Sequence, residues 1–236
     1  MRARLAIDIA QVQCELREVV LANKPAAMIQ ASSKGTVPIL IDPQAGVIDQ
    51  SLDIMLHVLT QSKCASYLPH PDPGHPTHAW VRTCDGKFKH HLDRYKYASR
   101  YTEVPVAGGV SAHRSATGAL TVAEQARQEE VRQEKAGQDE RSRALGHRAQ
   151  ASEFVLMLED HLRLHRYLSG NSEGWADLAI APFLRQFRLA DAQWFDAQDW
   201  PGVHAWLDAF VSHDRFLRVM QKFAPWQEDA AVVLFP

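Results

Sequence analysis

Residues 35–55, which read GTVPILIDPQAGVIDQSLDIM, decide the fold of this chain. The β-branched-rich run at 39–41 predicts a short strand, and Asp42 with Pro43 predicts a turn that leads into a second strand at 47–48. A helix is predicted to begin near Gln50 and Ser51, because apolar residues recur from there at helical spacing. The stretch therefore predicts a β-hairpin followed by a helix.

The same stretch predicts a corner that binds a peptide. A cis peptide bond is affordable only before proline, at about 0.5–1 kcal/mol, so a cis Val37-Pro38 bond would expose the Val37 backbone to a bound peptide. Gln50 and Ser51 open the following helix, where side-chain donors and free backbone N–H groups suit a carboxylate. In the alternative interpretation, Pro38 is a trans proline that begins an edge strand, and Ser51 merely caps the helix.

This arrangement resembles the glutathione S-transferase family, where the segment reads approximately G-x-V-P-x-L, then a hairpin, then an acidic residue or Gln followed by Ser or Thr. The resemblance implies that Gln50 and Ser51 hold the γ-glutamyl end of glutathione. It also implies that Val37, before Pro38, pairs its backbone with the cysteinyl unit. Lys24 matches by position a lysine that lies beside glutathione in some classes of the family.

The resemblance further implies an α/β plus all-α fold, with a thioredoxin-like N-terminal domain followed by an all-helical C-terminal domain. The N-terminal domain is expected at residues 1–61, and the C-terminal domain at 77–236. The proline-dense residues 62–76 are expected to link them.

A flexible, polar insertion is predicted at about 102–150. Its first part is rich in Gly, Ala and Ser without periodicity, and its second part is mostly charged. Thr121 and Glu124 have the spacing of a capping box, so a helix should follow them. We expect this helix to be interrupted or to end near Gly137 and Gly146.

The N-terminal domain is predicted to be incomplete. The resembled family begins with a strand and a turn that carries the catalytic Ser, Cys or Tyr, whereas residues 1–9 here already predict a helix and 14–20 a strand. The first strand is therefore expected to be missing, and the catalytic residue stays unknown. Met1 matches an internal methionine of bacterial relatives, so a start assigned at an internal codon is favoured over a short form that has lost the chemistry. The apolar tail 231–235 is expected to pack on a helix or fray rather than to fill the gap.

Composition excludes several classes of function. The 26 Lys and Arg residues nearly balance the 28 Asp and Glu residues, so no nucleic-acid or membrane partner is expected. No apolar run of membrane-spanning length and no secretory signal is visible, so a cytoplasmic location is expected. Cys14, Cys64 and Cys84 are an odd, widely spaced set without a C-x-x-C motif, which favours reduced thiols. His161 and His165 lie four residues apart on a predicted helix, but no third ligand is evident, so no metal is expected.

Asp177 is predicted to be a folding residue. It matches the acidic half of a capping box that starts a buried helix of the resembled family. The position of the hydroxyl half is Gly174, and glycine caps only a few tenths of a kcal/mol less well than Ser or Thr.

The resemblance implies that the protein uses glutathione as a co-substrate and transfers it to a small electrophile. If the missing catalytic residue is Cys, it implies glutathione-dependent exchange with a disulfide substrate. A homodimer is expected on the same ground. The alternative is a catalytically inactive glutathione-binding, ligand-binding or interaction protein on the same scaffold.

Overall fold

The structure is a computed structural model that describes residues 1–62, 64–101 and 122–236. These residues form two compact units, Met1–Cys84 with Val155–Pro236 and Asp85–Phe154. The first part of the predicted insertion, 102–121, lies outside the described residues, and so does Thr121 of the predicted capping box. The domain boundaries predicted from the sequence stay a prediction.

The described chain is mostly helical and carries short strands. Its helices, in chain order, are α1 (Arg2–Ala10), α2 (Ala26–Ala31), α3 (Ser51–Gln61), α4 (Pro76–Thr83), α5 (Lys89–Lys96), α6 (Val122–Leu162), α7 (Trp175–Ala190), α8 (Ala192–Asp196), α9 (Pro201–Ser212) and α10 (Asp214–Val219). Its strands are β1 (Cys14–Glu15), β2 (Leu40–Asp42), β3 (Gly46–Ile48) and β4 (Leu234–Phe235). Among the described helices, none is both long enough and apolar enough to cross a membrane.

The predicted hairpin is confirmed. β2 and β3 pair antiparallel, with Leu40 opposite Ile48 and Asp42 opposite Gly46. Gly46 has a φ of +78°, in the left-handed region that glycine adopts without the penalty of a Cβ. The helix α3 then begins at Ser51, as its apolar periodicity predicts. This order places the Val37–Pro38 bond before the hairpin and Gln50 after it.

The prediction for the C-terminal tail is wrong. β4 pairs antiparallel with β1, with Cys14 opposite Phe235, and the N–H of Leu16 donates to the carbonyl of Val233 at 2.7 Å. The predicted strand at 14–20 is also too long, since only its first two residues form a ladder. A strand edge carries N–H and C=O groups that need partners, and here the tail supplies them.

In the first unit, α1 packs against α3, α7 and α10. Leu5 and Ala6 of α1 and Met55 and Leu59 of α3 are almost completely buried, which matches the apolar stripes read from the sequence. The side chain of Arg2 is also buried, and its Nε donates to the carbonyl of Ala179 in α7 at 2.7 Å.

The second unit contains α5, which a π-helical turn at Cys84–Phe88 precedes and a 3-10 turn at Ala98–Tyr101 follows. α6 is one continuous helix of 41 residues that passes from this unit into the first. The expected break near Gly137 and Gly146 is therefore wrong. Each glycine costs a helix only about 1 kcal/mol relative to alanine, which is too little to end it.

Candidate functional site

The site predicted from the sequence is built on the loop between α2 and β2. Gly35 in this loop has a φ of +58°, which favours glycine. A Cβ at this position would lie 3.2 Å from Ile29 Cδ1 and 3.3 Å from Lys24 Nζ. The ammonium group of Lys24 is therefore held against the loop that leads to the hairpin, although its side chain is exposed.

The Val37–Pro38 peptide bond is cis. The side chain of Val37 is 49% exposed, and the ladder of the hairpin begins only at Leu40. In the part of the chain that the structure describes, neither the N–H nor the C=O of Val37 has a hydrogen-bond partner. An extended peptide could pair with these two groups as a strand pairs with a sheet edge.

The N-terminus of α3 is open. Gln50 is its exposed N-cap residue, and no side chain caps it. The first bond of the helix runs from the N–H of Ile54 to the carbonyl of Gln50 at 2.9 Å, so the backbone N–H groups of Ser51, Leu52 and Asp53 lie ahead of the helical ladder. Such groups favour an anion, while the carboxylate of Asp53 in the same turn partly offsets this attraction.

Asp49 joins the loop to the helix, and the sequence analysis did not single it out. Its carboxylate accepts from Ser32 Oγ at 2.7 Å and from Lys34 Nζ at 2.6 Å. The bond from Lys34, followed by the bond from Ser32, holds the pKa of Asp49 below its usual range. The signal that could have found it is the acidic residue directly before Gln50 and Ser51, with a lysine in the preceding loop.

The cysteines offer no evident nucleophile. Cys14 Sγ donates to the carbonyl of Phe235 at 3.4 Å, and burial raises the pKa of its thiol. Cys64 Sγ donates to the carbonyl of Ile9 at 3.6 Å, and Cys84 is fully buried. Since the thiolate is the reactive form, a raised pKa and burial both oppose reactivity.

The predicted site residues lie on two connected segments, the loop before the hairpin and the start of α3. The bonds of Asp49 tie the loop before Val37 and Pro38 to the helix start at Gln50 and Ser51, and Lys24 lies against the same loop at Gly35. Within the described residues, no group of three or more His, Cys, Asp or Glu side chains could hold a metal ion.

Two family models match the chain. The model described as "Glutathione S-transferase, N-terminal domain" matches residues 1–64, and the model described as "Glutathione S-transferase, C-terminal domain" matches residues 123–209. Together they account for more than half of the sequence. No curated protein matches this chain.

Solved structures share the fold at low sequence identity. A glutathione S-transferase from Xanthobacter autotrophicus is 17% identical with a TM-score of 0.60, and the match covers 90% of this chain and 87% of that one. Poplar glutathione transferase F1 is 14% identical with a TM-score of 0.66, over 93% and 90% of the two chains. A glutathione transferase from Burkholderia graminis, solved with two glutathione molecules bound per subunit, is 16% identical with a TM-score of 0.66, over 92% and 81%.

Proposed function

Because this chain belongs to the glutathione S-transferase family, we propose that it binds glutathione at Lys24, Val37, Pro38, Gln50 and Ser51. The observation that carries the proposal is the free backbone of Val37, at a cis bond before the hairpin, together with the open N-terminus of α3 after it. The first group suits the peptide part of glutathione, and the second suits a carboxylate.

Each end of glutathione has a proposed partner. The carboxylate of the γ-glutamyl residue lies at the first N–H groups of α3 and at the hydroxyl of Ser51, and the side chain of Gln50 binds the same residue. Gln50 contributes hydrogen bonds without the charge that an acid would bring, and Asp49 does not replace it, because its carboxylate already bonds to Ser32 and Lys34. We propose that the ammonium group of Lys24 attracts the glycyl carboxylate.

We propose transfer of glutathione to small electrophiles as the reaction of this scaffold, with the cytoplasm as its location and a homodimer as its assembly. The domains are proposed at 1–61 and 77–236, joined by 62–76. The catalytic residue is unknown. Glutathione-dependent thiol exchange is the alternative reaction if the missing catalytic residue is Cys. Neither Cys14, which bonds to the tail and has a raised pKa, nor the buried Cys84 is suited to replace that residue.

A second candidate is a binding protein without turnover. The observation that favours it is that the described cysteines offer no evident nucleophile, so thiol exchange through one of them is not supported. The two candidates share the binding site and differ in whether the thiol of bound glutathione attacks an electrophile.

Calorimetry with reduced glutathione tests the site. Gln50→Ala should weaken binding about fivefold to tenfold, the loss of roughly one net hydrogen bond. Gln44→Ala, on the exposed turn of the hairpin, is the matched control and should leave binding unchanged. Equal affinity of the parent chain and Gln50→Ala for glutathione would contradict the proposed binding site.

A turnover assay separates the two candidates. The parent chain is mixed with glutathione and chlorodinitrobenzene, and formation of the thioether is followed. Glutathione-dependent formation that Gln50→Ala slows supports the transferase. Tight binding without turnover supports the binding protein.

A further inference from the structure

A small cavity in the second unit is lined by charged side chains that the proposed glutathione site does not use. Its volume is about 120 Å³, and it lies between the end of α5 with the following 3-10 turn and the middle of α6. This is room for several waters or for a single small oxyanion. Its lining includes Arg94, Ala98, Tyr101, Glu140, Arg143 and His147.

Arg94 is positioned from one side. Its Nη1 lies 3.0 Å from His90 Nδ1, and its guanidinium lies over the ring of Tyr101, 4.6 Å from the centroid. In the described chain, neither Arg94 nor Arg143 has a carboxylate within ion-pair distance, and Glu140, on the same cavity, also has no cationic partner. The guanidinium groups of Arg94 and Arg143 therefore line the cavity without a carboxylate at ion-pair distance.

His147, which lines the cavity, is paired with His91. The Nδ1 atoms of His91 and His147 are 2.8 Å apart, so one ring must donate to the other, and the Nε2 atom of His147 stays outside this bond. The pair can hold one extra proton and keep this bond, because the protonated ring donates to the neutral one. A second proton is opposed by the first charge, so the two rings titrate as a coupled pair.

From this geometry we propose that the cavity is a proton-linked binding site for a small oxyanion, a carboxylate or a phosphate-like group. Arg94 and Arg143 supply charge-assisted hydrogen bonds to the anion, and guanidinium groups match the geometry of such oxygens. When the pair holds an extra proton, it adds a positive charge beside the anion, and His147 then carries Nε2–H whichever ring donates in the pair. Glu140 opposes the anion and limits its affinity.

The proton linkage has a definite sign. Burial, then Arg94, then His90 hold the pKa of His147 below its usual range, and burial followed by His147 does the same for His91. A bound anion favours the protonated pair and so raises the pKa of His147. Affinity for the anion must therefore rise as the pH falls. The other charged groups near the pair are Lys87, His90 and Arg94 on one side and Glu140, Arg143 and Glu153 on α6.

Sulfate is the probe, because it keeps its double charge across the working range, and binding is measured by calorimetry at constant ionic strength in chloride. Sulfate should bind more tightly at about pH 5.5 than at about pH 8, by roughly tenfold, as expected for one linked histidine proton. Malonate serves as the carboxylate probe, and tighter binding of one probe identifies which oxyanion the site prefers. Binding of neither at low pH would overturn the proposal.

Two arginine variants distinguish specific binding in the cavity from general attraction of anions to the charged helix. Arg143→Gln should weaken sulfate binding about tenfold, the loss of one charge-assisted hydrogen bond. Arg141→Gln removes the same charge from an exposed neighbouring position outside the cavity lining and should change affinity less than twofold. Equal losses in both variants would mean that the helix attracts anions only by its general charge, and the site would be rejected.

Two further variants test the roles of the other side chains. Glu140→Gln should strengthen sulfate binding several-fold, a gain that misfolding cannot produce. His147→Gln should flatten the pH dependence and remove the downfield NMR shift of the imidazole protons that sulfate produces in the parent chain. A pH dependence that survives His147→Gln would overturn the linkage to this histidine.

Discussion

Asp42 shows how one carboxylate can hold the turn of the hairpin that lies between the two parts of the candidate site. Its Oδ1 accepts from the N–H groups of Gln44 and Ala45, both at 2.8 Å, and its Oδ2 lies 3.1 Å from His57 Nε2. These bonds, with Ala45 first, then His57 and Gln44, lower the pKa of Asp42 from 3.8 to about 2. The turn that separates β2 from β3 is therefore held by an ionised group.

The stabilisation by Asp42 should disappear in acid. A carboxyl whose pKa is lower in the folded chain stabilises it above the unfolded value of 3.8, and this contribution is lost as the pH falls toward about 2. Asp42→Asn should therefore lower the urea midpoint at neutral pH, and this difference should shrink as the pH falls toward about 2. In a His57→Gln background the neutral-pH difference should shrink. A difference that persists unchanged in acid would contradict the assignment.

The sequence predicted the single-residue roles that depend on near neighbours. Asp177 accepts from the N–H of Gly174 at 3.0 Å, as the capping box requires, and it also accepts from Leu168 and from Trp206 Nε1. The reason for glycine at 174 was not predictable, because a Cβ there would lie 2.6 Å from Ser169 Oγ. That contact depends on how the preceding loop folds back, which no local pattern encodes.

At the scale of helices, the start of α9 is capped by a side chain from α6. Glu159 is buried, and its two oxygens accept from the N–H groups of Gly202 at 3.1 Å and Val203 at 2.8 Å. A Cβ at Gly202 would lie 2.9 Å from the backbone carbon of Leu162 and 3.0 Å from the backbone nitrogen of Arg163. The absence of a side chain at 202 lets the two helix ends approach closely enough for this cap.

Gly202→Ala should destabilise the chain although alanine is the better helix former. The propensity gain is about 1 kcal/mol, and overpacking against atoms that cannot move costs about 1–3 kcal/mol while also stretching the bonds to Glu159. Denaturant unfolding followed by tryptophan fluorescence measures the result.

Gly137→Ala is the control for that substitution. Among the described residues, nothing lies within 4 Å of a Cβ at 137, so this change should raise the helical stability of α6 by about 1 kcal/mol, seen by circular dichroism. If both substitutions stabilise the chain, the close approach at Gly202 is not present in solution.

Sequence periodicity located the main helices and the hairpin, because each buries a face that its own residues define. It failed where pairing partners are distant in the sequence. β1 pairs over only two residues, and its ladder partner, β4, comes from the far end of the chain, where no local pattern points to it. Likewise, α6 continues through Gly137 and Gly146 because its remaining residues compensate two modest local costs.

At the scale of the whole chain, α1 near its start contacts α10 and the tail strand β4 near its end. Asp8 in α1 is buried and accepts from Arg218 Nε and Nη2 of α10, both at 2.9 Å. Arg4 pairs with Glu18 at 2.6 Å and lies beside the ring of Phe235, 5.9 Å from its centroid. A buried acid of this kind needs its partner, so the docking of α1 depends on α10 and on the tail that follows.

The tail should therefore act as a structural strand with one main anchor. Phe235 is 4% exposed, whereas its neighbour Leu234 is 54% exposed on the same strand. Phe235→Ala should cost about 3 kcal/mol of unfolding free energy, and Leu234→Ala less than about 0.5 kcal/mol.

Hydrogen exchange gives a local readout, because the N–H of Leu16 bonds to Val233 and the N–H of Trp226 bonds to Glu18. Both amides should lose protection in Phe235→Ala and keep it in Leu234→Ala. Protection that survives both changes would mean that β1 is held by something other than the tail.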